Sequence, residues 1–74
     1  MLLDDLNVVI KVAEFRNITA AATHLNMRTA TASAAVKRVE QALGAELFVR
    51  TTRSLRLSSA GERFLPTCQE AMSM

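Results

Sequence analysis

The chain has 74 residues, 50% hydrophobic and 22% charged, with a formal net charge of +2. That suits one small folded domain and is too apolar for a disordered chain. A single Cys and a single His exclude a disulfide framework and a structural zinc site, and no apolar run exceeds three residues, which excludes a transmembrane helix. The start, Met1-Leu2-Leu3-Asp4-Asp5, lacks the positive region of a signal peptide, so the expected location is cytoplasmic, without a membrane partner. Twelve Ala and nine Leu against three Phe and no Trp or Tyr favour helix before any pattern is considered.

The first predicted helix begins at Asp4 or Asp5 as cap, with Leu6, Val9, Ile10 and Ala13 at spacings of three and four. Arg16-Asn17 breaks it, and Thr19 is expected to cap a short Ala-rich second helix ending at Leu25. Asn26 stands where a left-handed turn residue is needed. A third helix runs from Arg28 or Thr29 to Leu43 and is closed by Gly44. Two helices joined by so tight a turn have helix-turn-helix spacing.

At about 100° per residue, Ala32, Val36, Val39 and Leu43 share one narrow arc of that third helix. Ala30, Ala34, Lys37, Arg38 and Gln41 project opposite, with Thr31 and Ser33 on the flanks. That outward face is small at its start and basic at its end, and small side chains let a helix backbone come close to whatever it meets. The wider charge pattern fits a polyanion-facing surface and a merely solvated face equally well. Between Arg28 and Arg56, six basic residues (Arg28, Lys37, Arg38, Arg50, Arg53, Arg56) outnumber Glu40 and Glu46, while the rest of the chain is net acidic.

After Gly44 the period changes to that of strands. Leu47-Phe48-Val49-Arg50 and Leu55-Arg56-Leu57 flank Thr51-Thr52-Arg53-Ser54, predicting a hairpin with Leu55 and Leu57 inward and Arg56 outward. A hairpin behind a helix-turn-helix is a wing, with Arg53 at its tip and Arg50 and Arg56 at its stems. So short a hairpin needs to pack on the helices, through Leu47, Phe48, Leu55 and Leu57. Ser59-Ala60-Gly61-Glu62 has the form of a capping box and opens a fourth helix. Phe64, Leu65, Cys68, Ala71 and Met72 give that helix an apolar stripe, and Pro66 inside it is expected to cost a hydrogen bond and bend it.

The order Ala21-Ala22, Leu25, Ser33, Glu40, Leu43-Gly44, Leu47-Phe48, Arg50-Thr51, Arg53 and Ala60-Gly61-Glu62 resembles the N-terminal DNA-binding domain of LysR-type transcriptional regulators across essentially the whole chain. The resemblance implies a mainly α fold: a winged helix-turn-helix of three helices and a two-stranded β wing over residues 1–58. A linker helix starts over 59–74, with an effector-binding domain absent from this chain. It places the recognition helix at about 28–43 in the major groove and the wing at about 47–57 on backbone or minor groove. The implied partners are double-stranded DNA with an interrupted inverted-repeat operator and a second copy of the protein in a homodimer or higher oligomer. A small-molecule effector would act only through the absent domain.

Residue by residue, the expected DNA contacts are Arg28, Thr29, Ala30, Thr31, Ser33, Ala34, Lys37, Arg38, Arg50 and Arg53. Lys37 and Arg38 are phosphate contacts, Arg53 a minor-groove contact, and Arg28 and Thr29 candidate base readers. Members of the family usually begin the recognition helix with Ser-Gln, where this chain has Arg28-Thr29, so Thr29 is expected to take over capping; the basic residue often found at the place of Ala34 is also missing. Phe64, Leu65, Cys68 and Met72 are the expected dimerisation residues, with Cys68 packing in the dimer or the core face. Neither a catalytic constellation nor a cofactor or metal motif is present, so an enzyme is not expected; a helical interaction module is the competing class.

Overall fold

The computed structural model describes residues 3–51 and 54–73, in the order α1 (Leu3–Phe15), α2 (Ile18–His24), α3 (Thr29–Leu43), β1 (Phe48–Arg50), β2 (Leu55–Leu57) and α4 (Ser59–Ser73). Helix α1 is covered by α2, α3 and α4. This broad cover explains why Val8 and Val12 join Leu6, Val9 and Ile10 in the core, beyond the single stripe that the spacing predicts. Asp5 is buried as well and lies inside α1, past its cap position, held by Arg38 of α3.

Arg16, with φ +53°, ends α1. Asn17 then caps α2, its side-chain oxygen accepting the Ala20 N–H at 2.9 Å. Thr19, the cap expected from the sequence, instead lies within the helix, where its carbonyl accepts the Thr23 hydroxyl. The turn into α3 uses Asn26 in the left-handed conformation, as its residue type suggests. The small side chains of Ala21, Ala22, Ala32 and Ala35 are sealed where α2 and α3 meet α1.

Helix α3 begins behind Arg28, whose extended backbone occupies the cap position without a side-chain hydrogen bond; Thr29 is the first helical residue and not the cap. Gly44 closes it with φ +69°, donating its N–H to the Glu40 carbonyl. Ala32, Ala35, Val36 and Val39 form its buried face. Leu43 belongs to the same arc but is 41% exposed, lining an apolar cleft with Ala60 and Phe64.

The strands pair antiparallel, with Phe48 opposite Leu57 and Arg50 opposite Leu55. Thr51 and Ser54 close the loop through Thr51 N–H to the Ser54 carbonyl and Ser54 N–H to the Thr51 hydroxyl. Phe48 and Leu55 are buried, Leu57 half-buried and Arg56 exposed, so the hairpin lies on the helices as its alternation predicts.

Ser58, not Ser59, caps α4: its hydroxyl accepts the Gly61 N–H at 3.0 Å and donates to the Glu46 carbonyl at 2.6 Å. The expected capping box fails because the first helical turn is set one residue earlier, leaving Glu62 exposed. The helix continues through Pro66 to Ser73. Cys68 enters the common core with no exposed surface, so α4 packs as part of the same unit as α1.

Candidate nucleic-acid interface

The side of α3 away from the core carries Arg28, Thr29, Ala30, Thr31, Ala34 and Lys37, all exposed, with Ser33 half-buried at the margin. The face is therefore shallow at its N-terminal end, where Ala and Thr add little height, and positively charged further along. Lys37 lines a cleft with Arg50 at the stem of the wing. Glu40 and Glu46 line it too, and Glu40 is engaged: its carboxylate accepts the Leu47 N–H at 2.7 Å.

Arg38 belongs to a different arrangement from Lys37. Its Nε and Nη2 donate to the two oxygens of Asp5 at 3.0 and 2.9 Å, a bidentate pair between a buried carboxylate and a side chain that stays 55% exposed. The hydrogen bonds and charge of Asp5 push the guanidinium pKa up, outweighing its slight desolvation. From the sequence Arg38 is a phosphate contact; in the fold its first task is to fasten α3 to α1 and neutralise Asp5.

A clasp of backbone and side-chain bonds fixes the wing beside α3. The Leu47 N–H goes to Glu40 of α3, the Leu47 carbonyl accepts the Ser58 N–H at 2.8 Å, and the Ser58 hydroxyl holds the Glu46 carbonyl. Gly61 completes it: a Cβ there would collide with the Leu47 carbonyl oxygen and lie 2.8 Å from Leu57 Cδ2. Sequence reasoning reads Glu40 as a charge and a mark of a family, and Ala60-Gly61-Glu62 as part of a capping box and a mark of the same family. Their physical work appears once α3, β1 and α4 are together.

Of the remaining expected site residues, Arg50 is exposed at the wing stem, and Arg53 lies outside the described residues. Among the expected dimerisation residues, Phe64 and Leu65 are half-buried against the core and Met72 is 41% exposed. Of the two faces open to Cys68, dimer or core, it takes the chain's own core, and burial pushes its thiol pKa up by penalising the thiolate. His24 sits against Phe15 with ring centroids 5.2 Å apart, at the outer edge of the α1–α2 corner. Arg16 is a cation that the sequence pattern leaves out of the basic block, although the fold puts it in a cleft with Arg50. Its signal was an Arg at a helix break.

Three helices with a tight turn between the second and third, followed by a hairpin lying on them, define a winged helix-turn-helix domain. Residues 3–62 match the family described as bacterial regulatory helix-turn-helix protein, lysR family, and the chain belongs to that family. It is 38% identical over 61 residues to the HTH-type transcriptional activator IlvY of Haemophilus influenzae, covering 82% of this chain and 21% of that protein. It is 44% identical over 61 residues to the HTH-type transcriptional regulator PgrR of Escherichia coli, covering 82% of this chain and 20% of the relative. The chain thus spans about a fifth of the length of these curated relatives. Among solved structures, the CbnR DNA-binding domain in complex with DNA superposes with a TM-score of 0.93 at 30% identity, covering 99% of this chain and 84% of that one.

Proposed function

We propose that the protein binds double-stranded DNA sequence-specifically as the DNA-binding domain of a dimeric transcriptional regulator, with no catalytic step. The observation that carries this reading is the exposed face of α3, small at its start and with Lys37 beside Arg50 of the wing, on a fold shared with the DNA-bound CbnR domain. In this reading α3 enters the major groove. Arg28, Thr29 and Thr31 meet base edges, Ala30 and Ala34 permit close approach, and Ser33, Lys37 and Arg50 hold phosphates. The exposed remainder of the Arg38 guanidinium adds to the phosphate contacts, and Arg53 is a minor-groove contact.

The organisation that goes with it is a DNA-reading unit over 1–58 and the start of a linker helix over 59–74, where Phe64, Leu65 and Met72 meet a second copy. An effector would bind to a domain outside this chain, and the protein would work in the cytoplasm. Two recognition helices then occupy successive major grooves of an interrupted inverted repeat, with centres about 34 Å apart or a multiple of it.

Binding to a randomised duplex pool across a salt series, with sequencing of the retained DNA, tests this. Enrichment of a two-fold-symmetric site with affinity falling steeply in salt is expected. Lys37→Ala should weaken binding to all duplexes and reduce the salt slope by about one unit. Absence of binding even at low salt would favour a protein-interaction module instead.

A further inference from the structure

Arg16 sits in the acidic part of the sequence, but the fold carries it to the wing. It lines one cleft with Asn17 and Thr19 on one side and Arg50, Thr51 and Ser54 on the other. Among the described residues, no carboxylate lines that cleft. Arg50 also lines the cleft shared with Lys37, so the cations Lys37, Arg50 and Arg16 follow one another from α3, across the wing stem, to the α1–α2 turn.

Two further features set Arg16 apart. Its backbone is left-handed, with φ +53°, a conformation that costs free energy for a residue with a Cβ and that Gly or Asn adopts more readily. Among the described residues nothing rewards keeping an Arg there: its side chain makes no ion pair or hydrogen bond with them, whereas Lys11 pairs with Glu14 and Arg38 with Asp5. Glu62 borders a neighbouring cleft with Arg16 and Arg56 without pairing to either. Two exposed guanidinium side chains at one cleft repel each other until an anion lies between them.

We infer that Arg16 is a further DNA-contact residue, binding a backbone phosphate of the duplex together with Arg50 and the Thr19 hydroxyl. This rests on the DNA-binding reading above and enlarges its footprint beyond α3 and the wing. A phosphate contact positions the duplex and carries no base preference, so its loss weakens operator and scrambled DNA alike.

The experiment compares the parent protein with Arg16→Asn, Arg16→Lys, Arg16→Gly and Lys37→Ala, measuring duplex affinity between 50 and 200 mM salt and thermal unfolding of each. One phosphate contact fewer lowers the salt slope by about 0.9, so the affinity gap between parent and Arg16→Asn should shrink by about 3.5-fold across that range. Arg16→Lys should keep the parent slope, and Arg16→Gly should lose affinity while unfolding at or above the parent temperature, because Gly removes the backbone strain. An unchanged slope in Arg16→Asn beside a flattened one in Lys37→Ala would overturn the Arg16 contact and leave the DNA-binding reading intact. A lower unfolding temperature in Arg16→Gly would overturn it too, by showing the side chain to be structural. Failure of the parent to bind any duplex at low salt would overturn both.

Discussion

Replacing Gly61 by Ala tests the clasp between α4 and the wing, because two effects of opposite sign meet at one atom. Inside a helix, Gly→Ala normally stabilises by about 1 kcal/mol. Here the added Cβ would run into the Leu47 carbonyl oxygen and lie 3.1 Å from its carbonyl carbon. The Leu57 methyl can turn aside, but the Leu47 peptide cannot move freely: Glu40 holds its N–H side and the Ser58 N–H its carbonyl. Overpacking against such a fixed group costs about 3 kcal/mol at the upper end of the usual range, leaving a net loss of about 2 kcal/mol. For a domain of this size that lowers the unfolding midpoint by about 8–16 °C. Thermal unfolding followed by far-UV circular dichroism reads it directly. An unchanged or raised midpoint would show that α4 can back away from Leu47 at no cost, and the clasp would then not hold the wing.

Asn17→Ala removes the α2 cap and should cost about 1 kcal/mol, seen as a fall of about 4–8 °C in the midpoint; a null result would mean water replaces the Asn17 oxygen at no loss. Arg38→Met should lower the denaturant midpoint more than Asp5→Asn, since it takes the guanidinium from a buried carboxylate, while Arg38 left without Asp5 is exposed enough to hydrate. The reverse order would contradict that account. For Cys68 the sign follows from its raised thiol pKa: as pH rises past the ordinary thiol value of about 8.5, the unfolded chain loses its proton first. Stability should therefore be level below that pH and fall above it, and Cys68→Ala should abolish the Cys68 share of the fall in pH-dependent denaturation curves.

The helix boundaries were largely legible because they depend on local chemistry. Asn26 and Gly44 adopt the left-handed backbone their types permit, and the alternation of Leu55, Arg56 and Leu57 survives in the hairpin. Caps were less legible. Asn17 and Thr19 are both good capping residues two positions apart, as Ser58 and Ser59 are one apart, and the choice between them depends on where the preceding segment enters. Pairings distant in sequence could not be read locally at all: Asp5 with Arg38 is a contact across 33 positions, and it turns an expected helix cap and an expected surface cation into one structural unit. The same limit hid Arg16, whose place beside Arg50 depends on the hairpin folding back toward the α1–α2 corner. Cys68 was assigned to the right stripe of α4, but periodicity alone does not say which neighbour that stripe meets.

Along α3, core and exterior alternate within a few residues: Ala32, Ala35, Val36 and Val39 are sealed, while Ala30, Thr31 and Ala34 stand in solvent. The two sets can therefore vary independently. Replacing Ala30 or Ala34 by Gln or Arg keeps a strong helix former at each position, at a cost of a few tenths of a kcal/mol, while adding groups long enough to address a base edge. On the proposed reading, the scaffold behaves as an interchangeable socket. A small library at three exposed positions would retarget it to new base sequences, with the Asp5–Arg38 brace and the Glu40–Leu47–Ser58 clasp left untouched.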